Sequence, residues 1–457
     1  MITSPRVVSF VAASMILLAF AASSAPLPQG VDRATMLRGE YLATAADCNA
    51  CHRSPQAGGP DYAGGLPLAS PMGEIIGPNI TPAVKYGIGQ YSEADFKRAL
   101  VDGVRRDGSY LYPAMPYTAY RGMTESDLHA LYVYFMNGVA PVEQPVAATK
   151  LAFPFSVRQT MWFWNMLYRE QPQPVTALNS DALKNGYYLV DVLGHCSVCH
   201  SPRNFLMAED SDQRFTGGSL GGWFAPNITQ DKISGLGGWS DAELTQYLKT
   251  GHVQGKGAAA GGMGEAVEYS LSSMSDKDLQ DMVTYLRQIP PVRNAAEERA
   301  AWQHGPGDRA ESAANLDAGQ KLYASACATC HRLQGEGAYA DHFPSLTHNS
   351  TTGSLRADNM VMVILDGVNR QGPFTPITMP GFRHTLNDGQ IADLTNYIAQ
   401  RFGNPALNVT EAFVASQRNG GEAPLIIRLL PWAYGIAIVI VLGGLALWLR
   451  KRPARNK

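Results

Sequence analysis

Cysteine is scarce in this chain, and none of it is spare. The 457 residues hold six cysteines, and all six fall in three copies of one pattern, CxxCH: "DCNACHRS" at 47–54, "HCSVCHSP" at 195–202 and "ACATCHRL" at 326–333. Charge of one sign is also lacking. The formal net charge is −2 and the charges are mixed along the chain, so there is no basic stripe and no nucleic-acid partner is expected. A nucleophile elbow, a phosphate loop and paired catalytic carboxylates are missing too. Nothing marks a place where an organic substrate is turned over, and no catalytic residue is assigned. The length allows two to four domains, and 45 glycines with 29 prolines make a loop-rich chain.

Long apolar runs occur only at the two ends. "MITSPRVVSFVAASMILLAFAASSAP" has one early cation, Arg6, an apolar run from Val7 to Phe20, then small residues. That is the pattern of a secretory signal peptide, expected over residues 1–25. Ala19-Phe20-Ala21 fits an A-x-A cleavage site, while a cut after Ala25 would leave Pro26 next to it. At the other end no charge interrupts Leu429 to Leu449, about the ~20 residues that cross a bilayer core. Arg450, Lys451, Arg452, Arg455 and Lys457 follow, a basic tail expected on the cytoplasmic side. Both ends predict the same topology: exported domains held by one C-terminal span in the inner membrane, with the domains in the periplasm.

Each CxxCH has a similar lead-in: "RGEYLATAADC" (38–48), "NGYYLVDVLGHC" (185–196) and "AGQKLYASAC" (318–327). These predict three short helices, each running into its motif. Three closing segments also align without a gap: "MTESDLHALYVYF" (123–135), "MSDKDLQDMVTYL" (274–286) and "LNDGQIADLTNYI" (386–398). Thr124, Ser275 and Asn387 are predicted N-caps, with Asp127, Asp278 and Gln390 at N3. Met123, Met274 and Leu386 precede the caps and should staple onto Leu128, Leu279 and Ile391. Each closing helix is expected to pack on its opening helix. The first two repeats also share P-N-I-T (78–81 and 226–229). The third lacks it and offers Pro344-Ser345-Leu346 instead. Repetition of this kind means one supersecondary unit used several times.

A thioredoxin-type CxxC pair expects a βαβ setting, which is absent. A zinc site needs CxxC motifs paired within one small unit, whereas these stand more than a hundred residues apart. CxxCH is the attachment pattern of c-type haem. Two thiols form thioethers with the vinyl groups, and the adjacent imidazole becomes an iron ligand. Three motifs predict three covalent haem c groups, on Cys48 and Cys51, Cys196 and Cys199, and Cys327 and Cys330, with His52, His200 and His331 on iron. Electron-transfer haems commonly add a methionine, which raises the potential. Met115 in "YPAMPY" and Met379 in "ITMPGF" sit in loops shortly before closing helices. In the second repeat Met263 and Met274 compete. His52 to Met115 and His200 to Met263 are both 63 residues, and Met274 falls on the staple position, so Met263 is the expected ligand. The other histidines carry little.

Several stretches then resemble a known family: "SPMGEIIGPNITP", "LYPAMPY", "FPFSVRQTMWFWN", "CHSPRNFLM", "APNIT", "GLGGWS" and "STTG". Over residues 36 to 415 the chain resembles the tri-haem cytochrome c subunits of bacterial membrane-bound dehydrogenases. These act on gluconate, sorbitol, fructose, alcohols and aldehydes. The resemblance implies the same ligands, His52, His200, His331, Met115, Met263 and Met379. It also implies a separate catalytic subunit bearing flavin or PQQ, a small third subunit, and ubiquinone as electron acceptor. The alternative is a stand-alone membrane-anchored carrier with no dedicated dehydrogenase.

The expected fold is mainly α, with three tandem cytochrome c-type domains at 34–150, 176–292 and 313–405. Linkers occupy 293–312 and 406–428. The span follows at 429–449 and the basic tail at 450–457. An aromatic-rich connector at 151–175 either packs between two domains or faces a partner or membrane.

Overall fold

The computed structural model describes residues 31–170, 173–306, 317–338, 342–374 and 376–451; the expected leader and the tail beyond Lys451 lie outside the described residues. The chain is mainly helical, with small antiparallel hairpins between helices. Three opening helices, Arg33–Ala45, Asp181–Tyr187 and Asp317–Ala326, pack against three closing helices, Glu125–Asn137, Asp276–Leu286 and Asp388–Phe402.

The closing helices start where local chemistry dictates. The side chains of Thr124, Ser275 and Asn387 accept from the amides of Asp127, Asp278 and Gln390, which satisfies N-terminal donors that have no partner inside the helix. The stapling residues Leu128, Leu279 and Ile391 are buried. A reciprocal capping box forms at Asn387 and Gln390. In the first two units the N3 acid has another role. Tyr188 Oη donates to Asp127 Oδ2 at 2.7 Å, and Tyr41 Oη donates to Asp278 Oδ2. Tyr41 and Tyr188 each lie two positions after the lead-in glycine. Each unit therefore offers the same tyrosine to the other's N3 carboxylate, a pseudo-two-fold pairing. One continuous core, including Leu42, Leu131, Leu193 and Met282, runs through both units. The third unit has its own core around Tyr323, Leu365, Leu394 and Phe402.

The lead-in glycine is required by close approach. A Cβ on Gly39, Gly186 or Gly319 would lie 2.1, 2.1 and 2.3 Å from the carbonyl oxygens of Ala130, Asp281 and Asp393. The helix pairs cross backbone to backbone at these points.

In the first two units the opening helices do not run into the motifs as expected. Asp47 and His195 adopt left-handed φ of 54° and 38°. The motifs then form separate turns, Cys48–His52 and Cys196–His200. In the third, Ala328–His331 follows Cys327. Cys196 lies ten positions after Gly186, whereas Cys48 lies nine after Gly39. A π-helix, Tyr188–Leu193, takes up the extra residue, as such widened turns do.

Arg370 joins the third unit to the second. It is buried and donates to the carbonyls of Gly251 and Ala259, both at 3.2 Å. The C-terminal helix, Leu425–Lys451, begins four residues before the expected span. Arg428 masked that start in the sequence, but its guanidinium pairs with Glu422 at 2.7 Å and leaves the helix intact. Leu425–Trp448 is long and apolar enough to cross a membrane, and its most apolar stretch is not buried against the protein.

Candidate haem-attachment sites

Each CxxCH histidine is held in the same way. Nδ1 lies 2.8 Å from Pro78 O for His52, 2.6 Å from Pro226 O for His200, and 2.9 Å from Pro344 O for His331. A carbonyl only accepts, so Nδ1 carries the proton and Nε2 keeps its lone pair. This partner fixes the tautomer and ring direction that an iron ligand needs. Burial pushes all three imidazoles below their ordinary pKa, against a smaller opposing effect of the carbonyl bond. They are neutral and available to a metal at neutral pH.

The prolines come from P-N-I-T in two units and from Pro344-Ser345-Leu346 in the third, the replacement the sequence suggested. Asn79 Oδ1 accepts from Thr81 N at 2.9 Å, and its amide donates to Val142 O at 2.7 Å. Asn227 repeats this with Thr229 N and Val292 O, both at 2.8 Å. In the third unit Ser345 Oγ accepts from Thr347 N at 3.2 Å. Each loop pins itself and presents the proline carbonyl to the ring. The motif pattern P-N-I-T was visible in the sequence; its role toward histidine was not.

None of the six cysteines is paired in a disulfide. Burial pushes Cys48, Cys51 and Cys196 up to about 12 and Cys327 up to about 11. They are neutral sulfurs in apolar surroundings, which suits thioether formation.

Cys196, Cys199, His200 and Met263, with Leu236, Trp239, Tyr247 and Leu286, line part of one large cavity that also reaches the connector at Phe163 and the third unit at Met362. Met263 stands in the helix Gly261–Tyr269. Met274 is 2 % exposed and sits in the shared core. Met115 lies in a bend and packs on that core, as does Cys48. Met379 is the last residue of the strand Ile377–Met379, not a loop, and pairs with Val368. The hairpin register carries it there, a tertiary constraint the two flanking prolines did not reveal.

Two residues between the first and second motifs escaped the sequence reading. Tyr120 Oη donates to Ala46 O at 2.8 Å, and its ring meets His195 edge-on at 5.7 Å. Burial pushes His195 down to about 4, so it stays neutral. Arg53, just after the first motif, pairs with Glu265 at 2.7 Å and lies 4.6 Å over the Tyr269 ring. The first motif is thus tied to the helix that carries Met263. A tautomer-fixed imidazole beside two thiols fits covalent haem c at each motif.

A cytochrome c family model matches residues 316–401. The fructose dehydrogenase cytochrome subunit of Gluconobacter japonicus is 38 % identical over 94 % of both chains. The cytochrome c subunit of a quinone alcohol dehydrogenase from Gluconacetobacter polyoxogenes is 38 % identical over 91 % of this chain and 90 % of its own. The gluconate 2-dehydrogenase cytochrome c subunit of Pantoea cypripedii is 38 % identical over 84 % and 90 %. With its histidines poised for iron and its thiols for thioethers, the chain belongs to the family of dehydrogenase cytochrome c subunits.

Proposed function

We propose that this chain is the electron-relay subunit of a membrane-bound dehydrogenase complex and carries three haem c groups. A separate flavin or PQQ subunit oxidises a sugar, sugar acid or alcohol, and the electrons leave to ubiquinone. The haems supply one-electron redox chemistry. The chain's own residues attach them, fix the imidazole tautomers and exclude water. The iron ligands are His52 with Met115, His200 with Met263, and His331 with Met379. The three cytochrome c-type domains stand on the periplasmic side, each around one motif, and the C-terminal helix spans the inner membrane. A small third subunit completes the complex.

The observation that carries this reading is the threefold repetition of an imidazole pinned through Nδ1 to a proline carbonyl. Supporting it, Met263 shares a cavity with Cys196, Cys199 and His200. The test is purification from its native membrane in mild detergent. A stoichiometric large subunit with flavin or PQQ, and reduction of the haem bands by that subunit's substrate, are expected. The cytochrome arriving alone would favour the stand-alone carrier.

A further inference from the structure

The connector has one unexplained face. Its helix, Thr160–Tyr168, leaves Trp162, Phe163, Met166 and Leu167 between 43 % and 60 % exposed. Those positions are i, i+1, i+4 and i+5, one side of a helix. The opposite side is fixed to the protein. Buried Asn165 accepts from Tyr117 Oη at 2.7 Å, and Trp164 Nε1 donates to Leu206 O at 3.0 Å. The outward apolar face cannot roll inward without breaking both.

The connector also touches the C-terminal helix. Phe153, at the start of the connector, stacks on Tyr434 with ring centroids 6.2 Å apart and 23° between planes. Tyr434 Oη donates to Phe153 O at 2.7 Å. Tyr434 and exposed Trp432 lie in the N-terminal half of the candidate span Leu425–Trp448.

We infer that the connector helix lies flat in the headgroup–acyl boundary of the leaflet facing the haem-bearing units, as a second, non-spanning membrane contact. Its occupant is the lipid bilayer, because the same connector packs, through Phe153, on Tyr434 of the segment that enters it. The inference rests on the reading that the C-terminal helix spans. The contact would hold the cytochrome units at a fixed height and tilt over the membrane, which a single span does not do.

The test places the photoreactive residue p-benzoylphenylalanine at Phe163, Met166 or Ile440, one at a time, in the full chain. Each variant is irradiated in vesicles of phosphatidylethanolamine and phosphatidylglycerol, and again within the complex purified with its large subunit. Phospholipid adducts at all three positions, in both settings, are expected. Lipid adducts at 440 with none at 163 and 166 overturn the inference and leave the span standing. Adducts of 163 or 166 with another polypeptide of the complex overturn it in favour of a subunit interface. No lipid adduct at any position overturns the span and the inference together.

Discussion

Alanine at Gly186 should destabilise the protein, although alanine is the better helix former. In an open helix the change gains about 0.5–1 kcal/mol. Here the new Cβ would stand 2.1 Å from Asp281 O and 2.7 Å from Tyr285 Cβ. A carbon rests against a carbonyl oxygen at about 3.3 Å, so the helices must part by roughly 1.2 Å. The obstacle is backbone and cannot swing aside. Overpacking of this kind costs about 1–3 kcal/mol, sometimes more, and the net loss is set at about 2 kcal/mol. For the large body formed by the first two units, 1 kcal/mol moves Tm by about 2–4 °C, so a fall of about 4–8 °C is expected. The assay is thermal unfolding followed by circular dichroism at equal haem loading. Gly389→Ala is the control, since the nearest atom to its Cβ would be 3.6 Å away; it should melt at or slightly above the parent. If Gly186→Ala melts as high as this control, the helices do not cross in backbone contact and the reasoning is refuted.

Met263→Ala should sharply lower one haem potential and leave the other two, because thioether ligation favours ferrous iron. Met274→Ala should keep all potentials and cost about 2–5 kcal/mol of stability, as a buried methionine does; spectroelectrochemical titration of both variants decides, and the reverse pattern would reject Met263 as ligand. Ending the chain before Leu425 should free it from membranes with its haems attached, since Leu425–Trp448 is the one candidate span among the described residues. Weak, reversible vesicle binding through the connector is expected to remain, whereas a truncated chain that still needs detergent for release would show that another segment anchors it.

Local features were legible in the sequence. The caps Thr124, Ser275 and Asn387 depend on residues three apart, and they fold as read. The Pro344 substitution was legible because a repeat makes a missing element conspicuous. What was not legible depends on distant partners. Asp127 and Asp278 read as capping-box acids, but each is claimed by a tyrosine of the other unit. The left-handed turns fall at Asp47 and His195; Asp and His tolerate φ > 0 better than most residues, but residue type alone does not single out these two. The π-helix follows from a one-residue difference in glycine-to-cysteine spacing, visible only once the glycine is known to be pinned. Met379 lies in a strand because Val368 pairs with it, a contact that flanking prolines do not encode.

The central claim, three haems on three equivalent motifs, is tested most directly by the intact mass of the purified chain from a host competent in haem attachment. The account predicts the mature polypeptide plus three haem additions that survive acid-acetone extraction. Cys→Ala changes at both thiols of any one motif should remove one addition and leave two. A parent mass with two or fewer haems would contradict the account, and a motif whose removal changes nothing would identify where it fails.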